Sequence, residues 1–175
     1  MGLLDFFGKK KAIKVDYNVA ELNVGFIVEY FMKTWEVKKV YHYDWGNNFD
    51  SIEYLLDAGD EKCYLSVEEE DGIICMISKK IEMSAIDANL ISQIVKQDDA
   101  PQQLVYENKT YHRKSSGQGY CGENDDIKEN WSKFVNWVYE SGEEFISIDR
   151  WAEEEFSAVQ GSYVKEFEFS NILPK

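Results

Sequence analysis

The chain has 175 residues, 44% of them hydrophobic and 15% aromatic, which suffices for a domain with its own core and argues against disorder over most of the length. Lys and Arg number 19 against 33 Asp and Glu, and the resulting net charge of -14 repels phosphate backbones and makes nucleic acid a poor partner. Cys63, Cys75 and Cys121 are odd in number and lack CxxC spacing, a pattern that suits reduced thiols in a cytoplasmic protein.

Residues 1–21 read as a basic leader. "MGLLDFFGKKKAIK" carries no cleavage-site pattern. It sets Leu3, Leu4, Phe6 and Phe7 beside Lys9, Lys10 and Lys11, a composition that suits a peripheral membrane anchor with apolar residues in the acyl boundary and lysines on anionic headgroups. Residues 3–10 are expected to form a short amphipathic helix that needs a surface to lie on. The acidic remainder would be held away from such a bilayer.

Residues 22–173 read as a single β-rich domain. "NVGFIVEY" (23–30) places Val24, Phe26 and Val28 on one face, and "KCYLSVE" (62–68) alternates Cys63, Leu65 and Val67 with Tyr64 and Ser66. "EFISID" (144–149) sets Phe145, Ser147 and Asp149 opposite Ile146 and Ile148, and "YVKEFEF" (163–169) ends the domain in the same style. "DAGDE", "EEDGI", "ESGEE" and "VQGSY" supply the turns. One linking helix is expected over 84–95, with Ser84 and Asp87 as its capping box.

The chain also repeats itself. "VEYFMKTW" (28–35) aligns on "LVYENKTY" (104–111), and "LDAGDEKCYLSVE" (56–68) aligns on "YESGEEFISID" (139–149) with two residues deleted. The expected fold is therefore mostly β. Two similar antiparallel meanders, about 23–81 and 103–169, form a sandwich or barrel-like unit joined by 82–102.

"LNVGFIVEY", "YHYDWG", "LSVEEEDG", "ISIDRW" and "FEFSNIL" closely resemble a bacterial domain-of-unknown-function family, the one numbered four-one-seven-eight. The resemblance spans roughly residues 22–173 and leaves the leader outside. It implies no activity and no catalytic residues. It does imply an accessory role near membrane and envelope-stress systems, with an unidentified and membrane-associated protein partner.

Among individual residues, Tyr41, Tyr43 and Trp45 alternate along "VYHYDWGNN" as packing for a sheet face, with the turn end, Tyr43, Asp44 and Trp45, forming an aromatic platform for a flat or cationic ligand. The acid-rich "SVEEEDG" and "SIDRWAEEE" read mainly as solvated turns; Glu68 and Asp149, each at the end of a strand, are the exceptions, with Trp137 and Trp151 as neighbouring aromatic candidates. His42 and His112 lack metal-ligand spacing, and no cofactor or metal motif is present. Cys121 is placed in a loop as the most exposed thiol. The expected function is a non-enzymatic interaction or ligand-binding module. The alternatives are a carboxylate-dependent enzyme on a carbohydrate or polar small molecule, and a sensor of cationic small molecules such as polyamines. A cavity with two close acids beside Trp45 or Trp137 would favour the enzyme; a filled interior with acids only on its rim would favour the module.

Overall fold

The computed structural model describes residues 16–124 and 126–175. The leader's Leu3, Leu4, Phe6, Phe7, Lys9, Lys10 and Lys11, and the helix expected at 3–10, lie outside the described residues. Period-two alternation, rich in β-branched and aromatic side chains, folds most of what remains as strands. The first half holds β1 (Ile27–Tyr30), β2 (Lys33–Asp44), β3 (Asp50–Asp57), β4 (Lys62–Glu69) and β5 (Ile73–Ile81). Helices α1 (Met83–Ile86) and α2 (Leu90–Gln97) lead to β6 (Gln103–Tyr106), β7 (Lys109–Glu123), β8 (Ser132–Ser141), β9 (Glu144–Arg150), β10 (Phe156–Val164) and β11 (Phe169–Leu173).

All pairings are antiparallel, in the order β11-β1-β2-β3-β4-β5-β10-β9-β8-β7-β6, and β2 pairs β7 as well. Strands β2, β3, β4, β5, β10, β9, β8 and β7 therefore close into a ring, with the β1/β11 pair and β6 as flanking extensions. The meanders meet along two seams. At one, Ala158–Val164 of β10 runs against Cys75–Ile81 of β5; at the other, Tyr41–Asp44 of β2 meets Tyr120–Glu123 of β7. Each seam needs a glycine. A Cβ at Gly161 would strike the Ile77 carbonyl and the Ser78 side chain, and one at Gly122 would strike the Trp131 indole.

The hydrophobic faces lie on the outside of this ring. Tyr54 and Leu56 of β3, Cys63, Leu65 and Val67 of β4, and Cys75 of β5 pack with Val28, Trp35, Val37 and Phe169 under a lid that includes Val19 and Leu22. In the second half Trp137 and Tyr139, Ile146 and Ile148, and Ala158 pack against Leu90 and Ile94 of α2 and Leu104 of β6. Each half thus has its own apolar core: the first is covered by the Val19–Leu22 segment with β1 and β11, the last arriving from beyond the second half, and the second by α2 and β6.

The structure is mostly β and barrel-like, as expected, and differs from the sequence reading in five local places. "NVGFIVEY" is strand only from Ile27; Val24 lies in the preceding turn and is exposed, while Val28 is fully buried. The linking helix breaks at Asp87, whose backbone is extended and whose carboxylate accepts the Asn89 N–H at 2.7 Å, so α1 and α2 are separate and Ser84 caps neither. "VQGSY" is no turn; it runs through β10, where its glycine serves the seam. "YVKEFEF" is interrupted by a 3-10 turn at Glu166–Glu168 before β11 begins. Cys121 is not in a loop but in β7, with 9% of its surface exposed. The β1–β2 and β6–β7 hairpins turn alike, with positive φ at Phe31 and Met32 in one and at Glu107 and Asn108 in the other, the type I′ pattern.

Candidate functional site: a polar cavity inside the ring

Side chains opposite the two apolar cores point into the ring, where they enclose a cavity of about 600 Å³. Every ring strand contributes to it. The contributions include Tyr41, Tyr43 and Trp45 from β2 and its end, Ser51 and Glu53 from β3, Ser66 and Glu68 from β4, Ser78 and Lys80 from β5, and Asn136, Ser147, Asp149 and Ser157 from the second half. A volume of this size lies in the range of small-molecule sites. These hydrogen-bonding groups share the wall with apolar ones such as Met76, Val138, Phe145 and Val159; a barrel of eight strands either fills its interior with side chains or holds one small ligand there.

The polar groups are organised around two acids. Glu53 accepts a hydrogen bond from Ser66 Oγ at 2.8 Å and another from the Tyr43 hydroxyl at 3.2 Å. Asn136 Nδ2 donates to Asp149 Oδ1 at 2.8 Å and to Ser147 Oγ at 2.7 Å. Burial raises the Glu53 carboxyl above its ordinary value despite these donors. Burial also pushes Asp149 up to about 7, with the charge of Glu53 adding to the rise and the Asn136 hydrogen bond opposing it. Both acids are enclosed by protein yet only intermediate in surface exposure, because the surface they keep faces the cavity. Glu68 is likewise raised by burial, with Glu70 contributing.

Aromatic rings form one side of the cavity. Tyr43 and Trp45 stack with centroids 5.9 Å apart, and Phe134 meets both edge-on at 5.5 and 5.0 Å. Trp151 packs on Phe134 at 5.2 Å. Both indoles are pinned by a serine on the following strand: Trp45 Nε1 donates to Ser51 and Trp151 Nε1 to Ser157, each at 2.9 Å. Towards one end the lining residues become exposed, at Lys80, Glu123, Asp126, Asn130, Ser132 and Glu155. This is the mouth of the cavity. Ser78 stands out within: it is 2% exposed, lines the cavity, and its hydroxyl has no hydrogen-bond partner.

The structure brings five of the seven ligand-binding candidates together on this cavity: Tyr43, Trp45, Glu68, Asp149 and Trp151. Asp44 does not join them. Its carboxylate caps the turn through the Gly46 N–H at 2.9 Å and pairs with Lys128 at 3.2 Å. Trp137 is on the opposite face of β8, buried in the second core with its indole N–H on Asp99 at 2.9 Å. Cys121 does line the cavity, but burial pushes its thiol up to about 12, the opposite of an activated nucleophile. His42 stacks on Trp131 and does not line the cavity.

Glu53 and Asn136 are the functional candidates that sequence reasoning missed. Attention to acid runs at turns passed over them, although each is a polar residue in mid-strand among apolar neighbours, in "DSIEYLLD" and "SKFVNWVYES". Such a residue on a strand with an apolar opposite face is the signal that would have found them.

A closed antiparallel ring that carries its hydrophobic cores outside and an acid-and-aromatic cavity inside defines the class: a β-barrel with a small-molecule-sized polar interior. More particularly, the chain belongs to the family described as domain of unknown function (DUF4178), whose model matches residues 23–166. It is also similar to an uncharacterised protein of Aquifex aeolicus (strain VF5), 30% identical over 156 residues that make up 88% of this chain and 84% of that one. No solved structure matches it. Among the described residues no helix is long and apolar enough to cross a membrane.

Proposed function

We propose that this protein is a ligand-binding module that takes a small polar molecule into its ring, without chemical turnover. The observation that carries the reading is the 600 Å³ interior walled by hydrogen-bonding and aromatic groups on every ring strand. A fold selected only for stability would fill such a space with apolar side chains, since buried charges cost more than they return unless fully paired. Within the site both acids are already oriented by protein donors, which suits holding a ligand in one pose. The three free cysteines, all buried, support a reducing compartment, and we place the module in the cytoplasm. Its basic leader would serve as peripheral contact with a membrane or with a membrane-associated partner. The matching I′ hairpins support the reading of the two halves as a repeated unit.

The test is a thermal-shift screen of small polar compounds on the protein and on Ser147→Trp, which puts an indole into the cavity. Compounds that stabilise the protein and leave the filled variant unmoved are the expected result. If hits stabilise both equally, binding is elsewhere and the reading fails.

One observation favours a second reading. The interior is not filled, and Glu53 and Asp149 share one cavity with Trp45, the arrangement expected above of the enzyme rather than the module; Asp149 is also held near neutrality, as the acid partner of a carboxylate-dependent glycoside hydrolase must be. Against it, both Glu53 oxygens and one Asp149 oxygen are engaged by protein groups. Turnover of chromogenic glycosides that disappears in Asp149→Asn would establish the enzyme over the module.

A further inference from the structure

We propose that the ligand of this cavity is a small organic cation carrying protonated amines. This rests on the ring being a binding site and names the chemistry it selects. Three acids, Glu53, Glu68 and Asp149, line the interior, and Glu123, Asp126 and Glu155 line its exposed mouth, where Glu123 already pairs with Lys39 at 2.8 Å; the one base on the lining is Lys80. A neutral or anionic ligand would leave the three interior acids uncompensated in a low-dielectric ring. A cation would compensate them.

The arrangement favours an extended organic cation over a metal ion. No three His, Cys, Asp or Glu side chains converge to hold a metal among the described residues. The negative charge is instead strung along the strands. Glu53 pairs in register with Ser66, and Glu68 with Ser51, so the two acids stand diagonally across the β3–β4 ladder, two residues out of register on the same face. Such diagonal neighbours lie about 7–8 Å apart. A four-carbon diamine bridges such a spacing with one ammonium at each acid and its methylenes against rings.

One further feature fits the same ligand. The Tyr43, Trp45 and Trp151 rings offer faces to a cation. The cavity already accommodates one amine in this way, since the Lys80 ammonium at the mouth sits 5.7 Å from the Tyr64 ring centroid.

Loading would exchange protons for the cation. The titratable and charged groups facing Asp149 are Glu53 from β3, Tyr43 from β2 and Cys121 from β7, with Asn136 and Ser157 as its neutral partners from β8 and β10. Glu53 faces Tyr43, Ser66 and, at longer range, Lys80. Apart from Lys80 these groups are acids or neutral at pH 7, and their surroundings favour the protonated form of Asp149. An entering ammonium stabilises the carboxylate and releases that proton to solvent.

The experiment is isothermal titration calorimetry at pH 7 with 1,4-diaminobutane, 1,4-butanediol and succinate, in two buffers of different ionisation enthalpy. We expect the diamine to bind with net proton release. In Glu53→Gln and Asp149→Asn, which keep side-chain volume, affinity should fall by about tenfold or more, the loss expected when a charged hydrogen bond is removed. In Asp149→Asn the proton release should also disappear. Intrinsic fluorescence and urea unfolding confirm that each variant is folded. If the diol or succinate binds and the diamine does not, the cation is refuted while the ring remains a binding site. If the diamine binds equally to protein and variants and is removed by salt, attraction to the -14 surface explains it and the proposal fails. If no probe binds and the thermal-shift screen is also blank, cation and container fall together.

Discussion

Replacing Asp149 by Asn should make the protein more stable at pH 8, by a margin that shrinks steadily towards pH 4.5. The fold holds this carboxyl at about 7 against an ordinary value of 3.8, which penalises its ionised form by about 4 kcal/mol at full strength. The mouth opens the cavity to solvent, which screens part of that and leaves an expected penalty of roughly 1–3 kcal/mol. The sign follows from proton counting. Between pH of about 4 and 7 the folded chain keeps a proton that the unfolded chain has released, so stability falls as pH rises through that window. Below it both states are protonated and the penalty vanishes; above 7 it is present in full. Asn carries no charge at any pH and removes the slope, and it also relieves the repulsion on Glu53 in the same direction. Urea unfolding of the protein and Asp149→Asn at intervals from pH 4.5 to 8.5 gives the difference directly. A difference that stays constant across this range would show that Asp149 is ionised and solvated like a surface acid, and the argument for a costly interior would collapse.

Other consequences are simpler to state. Gly161→Ala should lower stability by about 3 kcal/mol or more, because its methyl collides with the Ile77 backbone at the β5–β10 seam; thermal unfolding measures it. Phe31→Asn with Met32→Gly should raise stability by about 1 kcal/mol, since both positions hold positive φ and neither native side chain is buried, at 77% and 98% exposure. Cys63, Cys75 and Cys121 are all buried, with their thiols raised by that burial. Ellman's reagent should therefore find no fast-reacting thiol among them at pH 8 until denaturant is added.

Strand and turn chemistry was largely legible because it is local. Lys62–Glu69 and Glu144–Arg150 alternate so regularly that the burial of Cys63, Leu65, Val67, Ile146 and Ile148 follows from period two alone. What alternation cannot state is which face looks inward. In "KCYLSVEE" the apolar face is the natural choice for an interior, and acids on the other face read as solvated. The structure reverses this: the apolar face lies outside the ring under its lid, and the polar face, Ser66 and Glu68, is inside. That inversion depends on residues far away in sequence, since Leu90 and Ile94 and the Val19–Leu22 segment provide the covers. It also explains why Trp137 and Asp149 part company although both were candidates. They pair with adjacent rungs of the β8–β9 ladder but point to opposite faces.

The division of labour between faces ties stability to function. A ring of eight strands with a polar interior gains little from that interior, so its stabilisation must come from elsewhere. Here it comes from two separate apolar cores, each burying large side chains such as Tyr54, Leu56, Tyr139 and Ile146 completely. With that burial secured outside, the inner face is released from packing duty. It can keep groups that destabilise the fold: an acid held near neutrality, a second acid beside it, and a serine hydroxyl without a partner. Each is a cost that a single apolar substitution would remove. Behind the cavity the cores are apolar apart from the Tyr54 hydroxyl, which is also buried without a partner; the concentration of ionisable groups on one cavity is what distinguishes a site from an accident of surface composition.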